Sequence, residues 1–142
     1  MASVFHLAFP VHDLAQAKHF YVDGLGCIPG RESRHALILN LGGHQLVAHH
    51  SPIAPEPQAG IYPRHFGLVF ATYGEWETWR DRAIARGLTF YQAPKQRFLG
   101  KPTEHYTFFL EDPSHNLLEF KHYTHGSAIF GETDTAEVGD RG

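Results

Sequence analysis

The feature that most constrains this chain is an internal repeat: one β-α-β-β-β order can be read twice, with a histidine at the same offset in each copy. Residues 4–11, VFHLAFPV, are rich in β-branched and aromatic types and read as a strand. Asp13 followed three residues later by Gln16 matches a helix capping box. Leu14, Ala17 and Tyr21 then recur at helical spacing, and Gly24 or Gly26 supplies the stop. Pro29-Gly30 reads as a turn, and 35–41 and 44–50 as strands joined by a Gly42-Gly43 hairpin. After a Pro- and Gly-rich connection, HFGLVF opens a strand at His65, and Thr72 with Glu75 makes a second capping box. Trp76, Trp79 and Ala83 stripe one face of a helix that ends at Gly87. Strands are expected near 88–92, 105–110 and 117–123, the last two separated by the turn Asp112-Pro113-Ser114-His115-Asn116. His6 lies seven residues before its cap, Asp13, and His65 seven before its cap, Thr72.

A module of this kind leaves one sheet face unsatisfied and buries it against its like. The expected fold is therefore α+β, with paired βαβββ modules forming a cupped mixed sheet. The expected organisation is one domain over 1–128, with module 1 at about 3–50, a linker at about 51–63 and module 2 at about 64–123. The tail, 129–142, is polar and acidic near its end; 132–142 lacks apolar periodicity and is expected to fray. Ile129-Phe130 could dock before that, on the body or on a partner. At 142 residues, with 11 Phe and 6 Tyr, the chain can bury roughly two-thirds of its unfolded surface. A formal charge of -3 carries no footprint of nucleic-acid binding. The single cysteine, Cys27, excludes an intrachain disulfide and reads as a small buried hydrophobe. Neither a secretory signal nor an apolar run of roughly 20 residues is visible, so a cytoplasmic protein is expected.

Twelve histidines are dispersed along the chain, so position must decide which of them act. Taken singly, His6 and His65 each read as a satisfied core or cleft histidine. Glu119 changes the weighing, because it interrupts Leu117-Leu118 and Phe120, where an ionised carboxylate is costly unless paired or metal-bound. Two-residue alternation puts Glu119 on one face with Leu117 and Lys121, opposite Leu118 and Phe120. If the halves are related by approximate two-fold symmetry, each first strand presents its histidine to a common cleft. Two histidines and one carboxylate hold a divalent ion while leaving positions open for water, substrate or oxygen. Asp13 and Thr72 are better explained as caps, and the tryptophans as helix-to-sheet packing. No dinucleotide fingerprint, phosphate loop or nucleophile elbow is present.

The segments FHLAFPVHDLAQAKHFYVDGLG, RHFGLVF and FFLEDPSHNLLEFKHY resemble the vicinal oxygen chelate superfamily, over about residues 3–123. That superfamily includes glyoxalase I, extradiol ring-cleavage dioxygenases, fosfomycin-resistance proteins and bleomycin-binding proteins; the chain looks most like the small predicted extradiol-type dioxygenases. The resemblance implies paired modules around a divalent metal, with His6, His65 and Glu119 at the ligand positions. Fe(II) is favoured on ligand grounds, with Mn, Zn or Ni as alternatives. Glyoxalase-I-like members take a fourth ligand from the fourth strand of the first half. Aligning the Gly43 and Asn116 turns places Leu46 opposite Glu119, which favours three ligands; a slip of one residue brings Gln45 or Val47 there, and His49 lies further on. Gln45 and His49 thus stay open as extra ligands.

Extradiol members also carry a histidine before a similar strand and a tyrosine ten residues before the glutamate. His105 stands in for the first at a shorter spacing. Phe109 replaces the second, which counts against ordinary catechol cleavage, and adjacent Tyr106 is expected to face the other way. His105, Lys121 and Tyr123 are the candidate catalytic groups, with Arg97 and Arg64 as further polar candidates. The expected function is a metal-dependent enzyme of the glyoxalase/extradiol dioxygenase type acting on a small substrate with vicinal oxygens, with oxidoreductase chemistry as a ring-cleavage dioxygenase as one form it could take. The alternatives are a glyoxalase-like isomerase or lyase, or a non-enzymatic small-molecule binding protein of the bleomycin-resistance type. Expected partners are a small-molecule substrate and a second copy of the chain in a homodimer, with no nucleic acid and no membrane.

Overall fold

In the computed structural model, which describes residues 2–139, each half of the repeat becomes one four-stranded sheet with a helix across one face. Module 1 runs β1 (His6–Val11), α1 (Leu14–Lys18), β2 (Ile28–Glu32), β3 (Ala36–Leu41) and β4 (His44–His50). Module 2 runs β5 (Phe66–Val69), α2 (Tyr73–Ala85), β6 (Phe90–Arg97), β7 (His105–Glu111) and β8 (Leu117–Tyr123). The strand orders are β1-β4-β3-β2 and β5-β8-β7-β6. The first strand of each module pairs parallel with the last and the remaining pairs are antiparallel, so both sheets are mixed. Both N-caps form. The Asp13 carboxylate accepts from the Gln16 amide at 2.9 Å and the Thr72 hydroxyl from the Glu75 amide at 3.1 Å. Beyond Lys18, α1 continues as a π-helical segment, His19–Gly24.

Pro29-Gly30 is not a turn but part of β2. This strand lies at the edge of its sheet, where a proline without an amide is tolerated, and its register shifts between Pro29 and Glu32. β6 likewise extends beyond the expected 88–92 and takes in Lys95-Gln96-Arg97.

Alternate residues of both sheets meet α1 and α2 in one core that includes Phe9, Leu39, Trp76, Phe108 and Phe120. Trp76 also donates its indole N–H to the Phe120 carbonyl at 2.9 Å, which ties α2 to β8. Cys27 is buried, and burial pushes its thiol up to about 12, as befits an inert apolar filler. The modules are joined by the turn between β7 and β8. Buried Tyr21 donates to Asp112 at 2.7 Å, the His12 amide donates to Ser114 at 2.9 Å, and Asn116 donates to the Pro10 carbonyl at 2.8 Å. No helix among the described residues is long and apolar enough to cross a membrane.

Part of the C-terminal segment is in contact with module 2. After a 3-10 turn at Gly126–Ala128 it folds back over module 2, where the Glu137 carboxylate accepts from Lys101 at 2.6 Å and Thr103 at 2.7 Å. Residues 140–142, the last of the segment expected to fray, lie outside the described residues. Phe130 is 95% exposed, so it does not clasp the body of its own chain.

Candidate metal centre and cleft

The sheet face turned away from the helices carries the polar groups of module 2. Glu119 comes from β8 and is 6% exposed; Thr107 reaches it from β7, and His65 immediately precedes β5. His65 Nε2 lies 3.2 Å from one carboxylate oxygen of Glu119, and the Thr107 hydroxyl donates to the other at 2.6 Å. Lys121 Nζ and an Arg97 nitrogen stand 3.7 and 3.8 Å from the same carboxylate. Burial alone would raise the Glu119 pKa. The His65 hydrogen bond, the Lys121 charge and the Thr107 hydroxyl together outweigh it and hold the group at about 2. His65 is correspondingly raised, chiefly by its bond to Glu119, against the opposing effect of burial.

Glycine at 67 makes this geometry possible. β5 runs so close to β8 that a Cβ on Gly67 would collide with the Glu119 backbone carbonyl.

The two symmetric histidines are prepared in the same way. His65 Nδ1 donates to the Ile61 carbonyl at 2.7 Å, and His6 Nδ1 donates to the Gln45 side-chain oxygen at 2.7 Å. Each ring is thereby oriented through Nδ1, the arrangement usual for an imidazole metal ligand, and His65 Nε2 faces the Glu119 carboxylate. Gln45, a candidate extra ligand, here orients His6. Register also settles which residue matches Glu119. Leu7 pairs with Leu46 and Ala8 with Val47, while Phe66 pairs with Leu118 and Gly67 with Glu119. The counterpart of Glu119 is therefore Val47, not Leu46, which points into the core. Neither can ligate. His49 sits further along β4, opposite Pro10, and is exposed.

The expected shared cleft does not form within one chain. Among the described residues no three His, Cys, Asp or Glu side chains are grouped to hold an ion. The reason is directional. The start of β1, at Phe5 and Leu7, shares a cavity with Leu68 and Val69, whereas its end, at Phe9 and Pro10, shares one with Arg64 and His65. The two first strands thus run in opposite directions along the module seam. With the Phe9 and Phe66 rings 5.2 Å apart, that opposed order carries His6 toward Val69, roughly 13 Å along the strand from His65 at about 3.3 Å per residue.

The other predicted groups divide by face. His105 is buried at the start of β7, pairs in register with Tyr123 and has its ring 5.0 Å from that tyrosine. Lys121 lies over the Tyr123 ring at 5.1 Å, so all three candidate catalytic residues adjoin Glu119's side of the sheet. Phe109 is fully buried against the His65 ring, centroids 5.1 Å apart, and puts no hydroxyl there. Tyr106 packs on Tyr73 and Trp76 at the helix side. Tyr62 escaped the sequence reading because it lies in the linker; its ring is 6.0 Å from His65.

A family model described as the Glyoxalase/Bleomycin resistance protein/Dioxygenase superfamily matches residues 3–120. A solved glyoxalase/bleomycin resistance protein/dioxygenase from Alicyclobacillus acidocaldarius is 42% identical, covers 90% of this chain and 96% of its own, and has a TM-score of 0.86. The fosfomycin resistance protein FosX of Listeria monocytogenes is 15% identical, with 87% and 95% covered and a TM-score of 0.65. A lactoylglutathione lyase from Agrobacterium tumefaciens is 18% identical, with 92% and 98% covered and a TM-score of 0.65. These last two likenesses are of fold. No curated protein matches.

Proposed function

Because this chain belongs to the glyoxalase/bleomycin resistance protein/dioxygenase superfamily, we propose that it is a metal-dependent enzyme acting on a small substrate with two neighbouring oxygens. His6, His65 and Glu119 are its ligands in this reading. The observation that carries it is the matched orientation of the two histidines, each with Nδ1 committed to an oxygen, with His65 Nε2 directed at Glu119 and His6 on the exposed surface. Since His6 stands at the far end of the seam, the reading places it in the site of a second copy. A two-fold dimer would set the exposed His6 of one chain against the His65–Glu119 pair of the other, twice. Fe(II) suits two histidines and one carboxylate, with Mn, Zn and Ni as alternatives.

An ion held by these three residues would supply Lewis-acid polarisation. The chain's own groups do the rest. Thr107 holds the Glu119 carboxylate in one orientation, and Lys121 and Arg97 favour negative charge on a bound oxygen. Phe109 provides an apolar wall, so proton transfer falls to Lys121, Tyr123 or His105. Val47 at the fourth-ligand place supports oxygen-dependent ring cleavage over a glyoxalase-like isomerisation with four protein ligands.

Mixing tests the shared site. His6→Ala and Glu119→Gln proteins, each metal-poor alone, should on co-refolding recover about a quarter of wild-type metal, because half of the dimers contain one intact site. No recovery contradicts a site shared between copies. Anaerobic Fe(II) loading followed by oxygen uptake with catechol, and methylglyoxal–glutathione conversion, then separate the two reactions; binding without turnover in both would mark a sequestering protein.

A further inference from the structure

His105 carries a polar atom that no group of the described residues satisfies. Its Nδ1 donates to the Thr103 carbonyl at 3.0 Å, the residue is 2% exposed, and Nε2 has no hydrogen-bond partner. A buried ring nitrogen left in that state calls for a partner from outside the chain. His105 borders a cavity of about 310 Å³ with Lys121, Tyr123 and Phe98 on the same side. The opposite wall is the C-terminal segment, from Ala128 to Gly139.

That segment is fixed at its ends and little held between them. Upstream it starts from the 3-10 turn at Gly126–Ala128. Downstream Glu137 is gripped by Lys101 and Thr103, and Gly139, at φ +62, lies so close to the Tyr62 hydroxyl that a Cβ would collide with it. In between, Gly131 to Ala136 is almost wholly exposed, and among the described residues its backbone bonds go to the segment itself, such as Gly131 to Ser127 and Thr135 to Glu132. Thr103 links the parts: its hydroxyl holds Glu137 and its carbonyl holds the His105 ring.

We propose that the C-terminal segment is a lid, latched by Glu137, over a compartment that takes a small molecule whose hydroxyl hydrogen-bonds His105 Nε2. A hydroxyl both donates and accepts, so it satisfies that nitrogen in either protonation state. Phe98, Ile129, Val138 and the Tyr123 ring offer apolar contact to the rest of the ligand. Burial pushes His105 below its ordinary pKa, the Thr103 carbonyl opposes this, and the Lys121 and Arg97 charges add to the lowering, which favours Nε2 as the acceptor. The compartment opens on Lys121 and so adjoins the proposed metal pair, but neither lid nor acceptor depends on a metal being bound.

Diethyl pyrocarbonate, which acylates accessible neutral imidazoles, tests this on metal-free full-length protein, so that the metal reading can fail without affecting the result. Labelling rates at His105 are compared by mass spectrometry with those at His19, whose side chain is 83% exposed. Glu137→Gln and Lys101→Met should each raise the His105 rate about five-fold or more while His19 is unchanged, as expected when a latching charge-assisted bond is weakened. Phenol, the probe ligand, should then slow labelling of His105 and not of His19 in the Glu137→Gln protein. An unchanged His105 rate in both variants overturns the lid. A uniform rise at every histidine is general loosening and also counts against the latch. Absence of phenol protection overturns the hydroxyl-binding compartment.

Discussion

Replacing Tyr21 by phenylalanine removes one hydroxyl from the joint between the modules and nothing else. Tyr21 is fully buried on the helix of module 1, and its hydroxyl donates to Asp112 of module 2 at 2.7 Å. The Asp112 carboxylate keeps its other donors, the Ser114 and Asn116 amides at 2.8 Å each and the Asn116 side chain at 2.9 Å. No cavity of consequence opens, so the loss is that of one hydrogen bond to a buried carboxylate, about 2 kcal/mol. For a chain of this length that lowers the melting temperature by roughly 6–8 °C. The sign with pH follows from Asp112. Burial raises its pKa, and its donors, Tyr21 first, pull it back. Without Tyr21 the carboxylate rises further, so the deficit is full at neutral pH, where Asp112 is ionised, and shrinks toward that of a neutral bond once it is protonated. Urea unfolding of both proteins at about pH 7 and pH 3 measures this. A deficit below about 0.5 kcal/mol, or one equal at the two pH values, would refute the reasoning.

Two further outcomes follow from the cleft. Gly67→Ala drives a Cβ into the Glu119 carbonyl, so it should cost more than about 3 kcal/mol by thermal unfolding and reduce metal content in the surviving folded protein; wild-type stability would show that β5 does not approach β8 this closely. Glu119 is held at about 2 against an ordinary 4.5, so the metal-free protein should carry about 3 kcal/mol of stability above pH 4.5 that is lost as pH falls toward 2. Glu119→Gln should lack this acid limb in a pH series of urea midpoints, and an identical limb in both proteins would show that the carboxylate is not so stabilised.

How far the sequence revealed this molecule depended on the range of the interactions involved. The two capped helices and the βαβββ order rest on contacts between near neighbours in the chain, and Asp13, Thr72 and the apolar stripes displayed them. Membership of the superfamily was likewise legible in the segments around His6, His65 and Glu119. Pro29-Gly30 was misread because a proline in an edge strand and one in a turn present the same local signal, and only the strand order separates them. Leu46 was placed opposite Glu119 by counting from two turns of unequal shape, a one-residue error that exchanges the faces of a strand. The expected convergence of His6 and His65 failed on something that periodicity does not encode, namely the opposed directions of β1 and β5 along the seam. The attachment of the polar tail at Glu137 was not legible because it comes from a few long-range contacts, with Lys101 and Thr103, rather than from any apolar face.

Elemental analysis of matched wild-type, His6→Ala, His65→Ala and Glu119→Gln proteins tests the central claim most directly, with His49→Ala as a control and circular dichroism to confirm folding. Wild type and His49→Ala should retain a divalent metal at one ion per chain, and each of the three ligand variants should lose most of it while keeping the wild-type spectrum. Equal, stoichiometric metal in all five proteins would contradict the triad; loss in the His65 and Glu119 variants alone would contradict the part assigned to His6.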